Sequence, residues 1–403
     1  MNNFKSLIMK AKGLWLLLLF IGLAFGLRAQ QRQSDNGAGK YRSIIPEDKQ
    51  ELLKNIDMYA NTQLAFRNDF TDGEYLGSKF KFEQFRMEIK GYLHKNIYFR
   101  FRHRFTSTFE PQSIDKIIKG VDFAYLVFTL SDRWKLTIGK TYADWGGIEF
   151  DLNPIDIYVY SDIIEMADNF LTGIEAHYKV SDNHSLGFQM LNSRTGTFED
   201  IYDTVPDVQP SKVPLALVFN WRGSLWHGKV TTIWSYSFFV EAQDYAKNYI
   251  ALGNQFHSKY IDLAYDYKIS LEGIDRTGII SNEIPDSLYN YAVKNTLYRS
   301  HWIRATMKFN PKWHFSVDAF VDIANWNSDL DPQKTQNHFR TVYSVIPTIE
   351  FYPWENFDLK FFLGFVGRWY RYSDYAKNRP GLEKKDYSTT NIMIGLISPL
   401  KFL

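Results

Sequence analysis

Ile97-Tyr98-Phe99-Arg100-Phe101-Arg102-His103-Arg104-Phe105 alternates large apolar side chains with arginines. Successive side chains of a strand point to opposite faces, so Ile97, Phe99, Phe101 and Phe105 share one face and Arg100, Arg102 and Arg104 the other. Three stacked guanidiniums repel one another unless solvent or an anionic partner offsets them. Such a strand divides an apolar medium from a wet one, and a water-filled barrel interior supplies the wet side. The alternation recurs. Phe85, Met87 and Ile89 oppose Gln84, Arg86, Glu88 and Lys90; Ile261, Leu263, Tyr265 and Tyr267 oppose Asp262, Ala264 and Asp266. Trp313, Phe315, Val317, Ala319, Val321 and Ile323 oppose His314, Ser316, Asp318 and Asp322. A soluble sandwich is the competing account, but the apolar faces outnumber what a two-layer core absorbs.

The chain opens like a secretory leader: Lys5, Lys10 and Lys12, an apolar stretch from Leu14 to Leu27, then Ala29 ahead of Gln30. A signal peptide over 1–29 is expected. Its removal takes four of the 47 basic residues, leaving 43 against 45 acidic ones, and this balance argues against a nucleic-acid partner. There is no cysteine, so disulfides and a lipid-modified N-terminal cysteine are excluded. The chain is 17% aromatic, with 26 Tyr and 11 Trp, and beyond the leader it has no run long enough for a transmembrane helix. Only helices and closed barrels satisfy backbone groups in lipid, so a membrane location requires a barrel. For an exported chain this means the outer membrane of a Gram-negative bacterium, with outer-membrane lipid as its surroundings.

Residues 30–55 read as a polar periplasmic arm, with a short helix possible after Ile45-Pro46. From Ile56 to 403 we expect sixteen antiparallel strands. Short turns are expected at 94–96, 131–133, 181–183, 223–225, 258–259, 310–312 and 353–355. Longer connections are expected at 69–79, 109–119, 142–169, 193–212, 242–247, 273–295, 325–337 and 372–389. Tight turns at one end and long loops at the other are the asymmetry of outer-membrane barrels. The turn at Ser258-Lys259 is the least marked, and losing its two strands would leave fourteen. Tyr92, Trp134, Trp221, Trp226, Trp313 and Trp354 would form an aromatic ring at the short-turn end, and Trp145, Trp326, Trp369 and Tyr370 a ring at the other.

Together with the arginine-bearing third strand, the run Gly139-Lys140-Thr141-Tyr142-Ala143-Asp144-Trp145-Gly146-Gly147 leading into a long loop resembles the phosphate-selective porin O and P family. The resemblance spans Ile56 to Leu403. It implies a sixteen-stranded trimeric channel, a third loop folded into the lumen as the constriction, and an arginine ladder that conducts anions. Two features depart from that pattern. The loop from Gly146 to Phe170 has no Lys or Arg but carries Glu149, Asp151, Asp156, Asp162, Glu165 and Asp168, and the chain ends in Leu403 rather than an aromatic residue.

By alternation Arg86, Arg100, Arg102, Arg104 and Arg304 face inward near mid-membrane, with Arg340 and Arg368 higher up. The expected function is an outer-membrane porin, a passive channel for small hydrophilic solutes or ions, with basic strand 3 set against acidic loop 3. In the competing account, Glu88 or Glu175 neutralises Arg102 and its neighbours within the wall. No cofactor or metal is expected, because the chain has neither a Gly-rich phosphate loop nor a His-Glu-x-x-His motif. His314-Phe315-Ser316 is a His-x-Ser pair of the kind barrel lipases use, but its lumen-side parity favours a non-enzymatic role. His103 has lipid-facing parity, which suits a homotrimer contact or a neutral ring near the headgroups. A surface barrel acting as an adhesin or binding protein through its long loops is the other reading.

Overall fold

Alternating strands that each pair with both neighbours can leave no free edge in lipid, and here the ring closes. The computed structural model describes residues 55–106, 113–327, 334, 336–354 and 357–402. The expected leader, and all but the last residue of the expected arm, lie outside the described residues. The described residues form β1 Ile56–Thr71, β2 Glu74–His94, β3 Ile97–Arg104, β4 Val121–Thr129, β5 Trp134–Tyr142, β6 Phe170–Lys179, β7 His184–Asn192 and β8 Leu215–Leu225. They continue with β9 Val230–Ala242, β10 Tyr245–His257, β11 Ile261–Ile274, β12 Lys294–Asn310, β13 Trp313–Trp326, β14 His338–Phe351, β15 Lys360–Tyr372 and β16 Tyr387–Lys401. Each strand pairs antiparallel with its sequence neighbours, and β1 closes on β16 from Tyr59 opposite Lys401 to Thr71 opposite Thr389. The pair at the least marked turn is present, β10 and β11 running in register from Lys247 opposite Glu272 to His257 opposite Asp262, so the count is sixteen and not fourteen.

Small polar side chains make the short turns. Ser131 Oγ accepts the N–H of Trp134 at 3.1 Å, Ser258 Oγ that of Ile261 at 3.0 Å, and Asn310 Oδ1 those of Lys312 and Trp313 at 2.9 and 3.0 Å. The turn expected at 223–225 lies at 226–229 instead, because Trp226, His227 and Gly228 all take positive φ while β8 continues through Leu225. Two connections expected to be long are two-residue hairpins. Asp72 and Gly73, at φ 49° and 81°, join β1 to β2, since Asp-Gly is the pair that most readily takes the mirror-image turn. Gln243 and Asp244 join β9 to β10.

Outward residues such as Phe188, Phe219, Leu263, Tyr265 and Leu363 are exposed in long apolar rows. At the short-turn end the aromatics pair across strands: Trp134 with Tyr178, Trp221 with Trp234, and Trp313 with Phe351, at 4.6, 5.1 and 4.6 Å between centroids. The ring expected at the other end does not form as such. Trp145 is fully buried against Phe239 and Tyr249, and Trp326 is buried beside Tyr289. Tyr370 stacks on Tyr387 at 4.3 Å beneath Arg368, on the inward face; of the four, only Trp369 has outward parity. These rings serve an apolar core built inside the barrel under the long loops, where Ile279, Ile280, Ile284, Tyr375 and Leu382 also pack. Inward position therefore does not mean wet, a difference from the sequence expectation of a uniformly aqueous lumen.

Candidate functional site: the lumen and its third loop

Period-two alternation places Arg86 on β2 and Arg100, Arg102 and Arg104 on β3 on one inward strip, because Arg86 lies opposite Arg104 and Glu88 opposite Arg102 in the ladder. A carboxylate that sequence reasoning missed joins three of them. Asp122 on β4 is completely buried and receives Arg102 Nε at 3.0 Å, with Arg86 Nε at 3.7 Å and Arg104 Nε at 3.9 Å. Glu88 takes Arg100 through two bonds of 3.1 Å and Lys90 at 3.4 Å. Glu175 bonds to Gln189. Of the two partners expected from sequence, Glu88 thus pairs within the strip, with Arg100 and not Arg102. Parity could not have found Asp122: the register shifts here, Arg102 lying opposite Phe123 and His103 opposite Val121, so Asp122 has no ladder partner and its carboxylate joins the arginines beside Phe123.

The connection from β5 to β6, residues 143–169, contains helical turns at Ile148–Asp151 and Asp162–Glu165 and a 3-10 turn at Pro154–Asp156. Pro opens the last of these, and the Asn153 side chain accepts the Ile155 N–H. The segment is held by strands well round the ring from its own ends. Asp266 on β11 accepts the N–H groups of Ile148 and Glu149 at 2.8 and 2.9 Å. This approach requires glycine on both sides: Gly147 has φ 89°, and a Cβ on Gly253 of β10 would lie 2.6 Å from Gly147 Cα.

Glu149 pairs with the fully buried Lys268 and accepts Ser161 N–H and Oγ–H at 2.6 and 2.7 Å. Asp151 meets Arg222 on β8 at 2.7 Å, and Asp156 meets Lys360 on β15 at 2.7 Å. Asp162 binds both Arg340 on β14 and Arg368 on β15 at 2.5 Å. Asp168 accepts the Thr195 N–H at 2.8 Å and lies 3.8 Å from Arg276. Ile148, Leu152, Ile155, Tyr158 and Val159 pack on the inward side chains Trp302, Phe320, Ile346, Phe362 and Met393. At the start of the same connection, burial pushes the Asp144 carboxyl above the usual range, against the pull of Arg222 at 2.9 Å.

Between this loop and the β1–β3 wall lies a cavity of about 980 Å³. Arg86, Arg100, Arg102 and Arg104 line it with Arg67, Lys81 and Lys90; across from them stand Phe150, Asp151, Tyr158, Tyr160 and Glu165 of the loop and Arg368. Of the seven arginines singled out from sequence, five are brought to this cavity. The other two hold the loop: Arg304 makes two bonds to Asp318, at 2.5 and 2.6 Å, and donates to the Asp156 carbonyl, and Arg340 takes Asp162 and Glu283. Of the six loop acids, Asp151 and Glu165 line the cavity. The cations that take the loop acids, Arg222, Lys268 and Lys360, share the inward parity of residues already recognised, but no spacing in the chain links them to those acids.

A closed sixteen-stranded barrel with outward apolar rows, an aromatic end ring and a charged interior cavity defines an outer-membrane channel for small solutes. The family profile of the phosphate-selective porins O and P matches residues 56–394, and the chain belongs to that family. No match is found among curated proteins. Among solved structures the chain is similar to the outer membrane channel DcaP of Acinetobacter baumannii, at 10% identity and TM-score 0.54, over 85% of this chain and 98% of that one. It is also similar to Salmonella typhi OmpF in complex with daunomycin, at 12% identity and TM-score 0.53, over 85% and 98%. A loop-deletion form of OmpT from Vibrio cholerae matches at 9% identity and TM-score 0.53, over 86% and 99%. These likenesses carry the fold.

Proposed function

We propose that the channel passes solutes through one eccentric passage between the β1–β3 wall and the third loop, with a modest preference for anions. The observation that carries this is the distribution of charge. Five of the six loop acids, Glu149, Asp151, Asp156, Asp162 and Asp168, have cationic partners, whereas Arg86 and Arg102, among the described residues, share the carboxylate of Asp122. The transverse field expected between strand 3 and loop 3 is thereby weakened on its acidic side, and the arginine strip sets the sign. The loop acts as the constriction. The lumen reads as a channel and not as a barrel lipase: His314 packs on Tyr352 at 4.8 Å and Ser316, its partner in the His-x-Ser pair, is buried.

The chain assembles as a homotrimer through its shorter wall. Strands β3 to β7 have 8 to 10 residues and β8 to β16 have 11 to 17, so the former sit at the lower limit for crossing a bilayer alone. His103, on the outward face of β3 against Phe105 at 4.7 Å, falls on this wall. The leader, 1–29, and a periplasmic arm, 30–55, precede the barrel. The test is a planar-bilayer recording across a KCl gradient. An open channel with a reversal potential of anion sign is expected; cation sign would refute the charge argument, and a folded barrel without current would refute the passage.

A further inference from the structure

Four aromatic rings form a continuous strip beside the arginines. Phe170 meets Phe123 at 5.6 Å, Phe123 meets Tyr142 at 5.9 Å, and Tyr142 meets Phe150 at 5.9 Å, running from the wall onto the loop. All four line the cavity. The guanidinium carbons of Arg100 and Arg102 lie 4.4 and 4.0 Å from the Phe123 centroid, so charge and ring face are presented together. Arg86, 5% exposed and lining the same cavity, has Nε and Nη1 without a hydrogen-bond partner, and its nearest carboxylate oxygen is 3.7 Å away. A buried donor left in that state favours a ligand that completes it.

Resting on the reading of this cavity as the passage, we propose that it recognises carboxylates that carry a flat aromatic ring. The carboxylate takes the open donors of Arg86 beside Arg102, and the ring lies along Phe123, Tyr142 and Phe150. A small, strongly hydrated anion such as phosphate needs charge on every side to replace its water. The loop face has no Lys or Arg from Gly146 to Phe170; it offers Phe150, Ile157, Tyr158, Tyr160 and Ile164 beside two carboxylates, Glu165 and Asp151, the latter paired with Arg222. A strip of rings that starts beside the guanidiniums and runs onto the loop suits a solute with one anionic and one apolar end.

The full-length barrel in a planar bilayer is titrated with benzoate, acetate and inorganic phosphate while the KCl current is recorded. Benzoate is expected to reduce the current at a concentration at least tenfold lower than acetate or phosphate, and Phe150→Leu or Tyr142→Leu to bring that ratio below threefold. Calorimetric titration of the folded barrel in detergent gives the same comparison without conduction. An anion-preferring channel in which benzoate is no better than acetate, or is weaker than phosphate, overturns the ring preference and leaves the channel reading standing. Benzoate preference in calorimetry without any current upholds the site and removes the passage. A ratio unchanged in both leucine variants overturns the role of the strip.

Discussion

Replacing Arg102 with Gln removes one charge from the strip without orphaning its partner. Asp122 keeps Arg86 and Arg104 at 3.7 and 3.9 Å, and glutamine can still donate to it. One elementary charge about 7 Å from an ion in water contributes roughly 0.6 kcal/mol, and screening at about 0.1 M salt halves this to about 0.3. The change has opposite sign for anions and cations, so the permeability ratio shifts by about 0.6 kcal/mol, or roughly threefold. The assay is the reversal potential of single channels across a KCl gradient, parent against variant, with retained folding checked by the heat-dependent gel mobility of the barrel. The expected result is a ratio about threefold less favourable to anions. An unchanged ratio, or a move toward anions, would show that Asp122 and its three guanidiniums do not face the ion path.

Lys268→Met strands the buried carboxylates of Glu149 and Asp266, and breaking such a pair from one side costs about 3–5 kcal/mol, read as a lower denaturant midpoint of the folded barrel. Adding Glu149→Gln should cost less than the sum of the single changes, and strict additivity would deny the coupling. Gly253→Ala brings a Cβ to 2.6 Å from Gly147 Cα and so displaces the third loop; larger or noisier single-channel currents are expected, and unaltered currents would mean that the loop does not narrow the path. Asp275, just beyond β11, is pushed up to about 6 by burial and the neighbouring Glu272, from the ordinary 3.8. The folded state therefore holds a proton that the unfolded state releases between these values, and the stability contributed is full below the window and lost as pH rises through it. The Gly278 and Ser281 amides, which donate to Asp275 at 2.9 and 2.8 Å, should lose protection from hydrogen exchange, corrected for intrinsic rate, between about pH 4 and 6; Asp275→Asn should flatten the trend.

Alternation is a local property, and it made the barrel legible. The Arg100, Arg102, Arg104 row, the polar row of β11 and the small-residue turns at Ser131, Ser258 and Asn310 each follow from a few adjacent residues, because side-chain parity and turn geometry are decided there. The hairpin at Asp72-Gly73 was equally local but was obscured by the polar residues around it, and the strands run on through Asp69 and Ser78 because their ladder bonds outweigh composition. The site was legible only as two lists, inward cations and loop anions. Nothing in the chain says that Asp162 meets Arg340 and Arg368, 178 and 206 residues away, or that Lys268 receives Glu149. Those pairings depend on ring closure, which puts β14 opposite the β5–β6 connection, and on the buried charge of each carboxylate, which forces it onto the nearest cation. The sequence by itself determined which face of each strand meets lipid and which meets the interior. Only the tertiary structure decided which part of that interior is packed and which stays open, because a loop's apolar side chains and charges find their partners across space, where chain order carries no information.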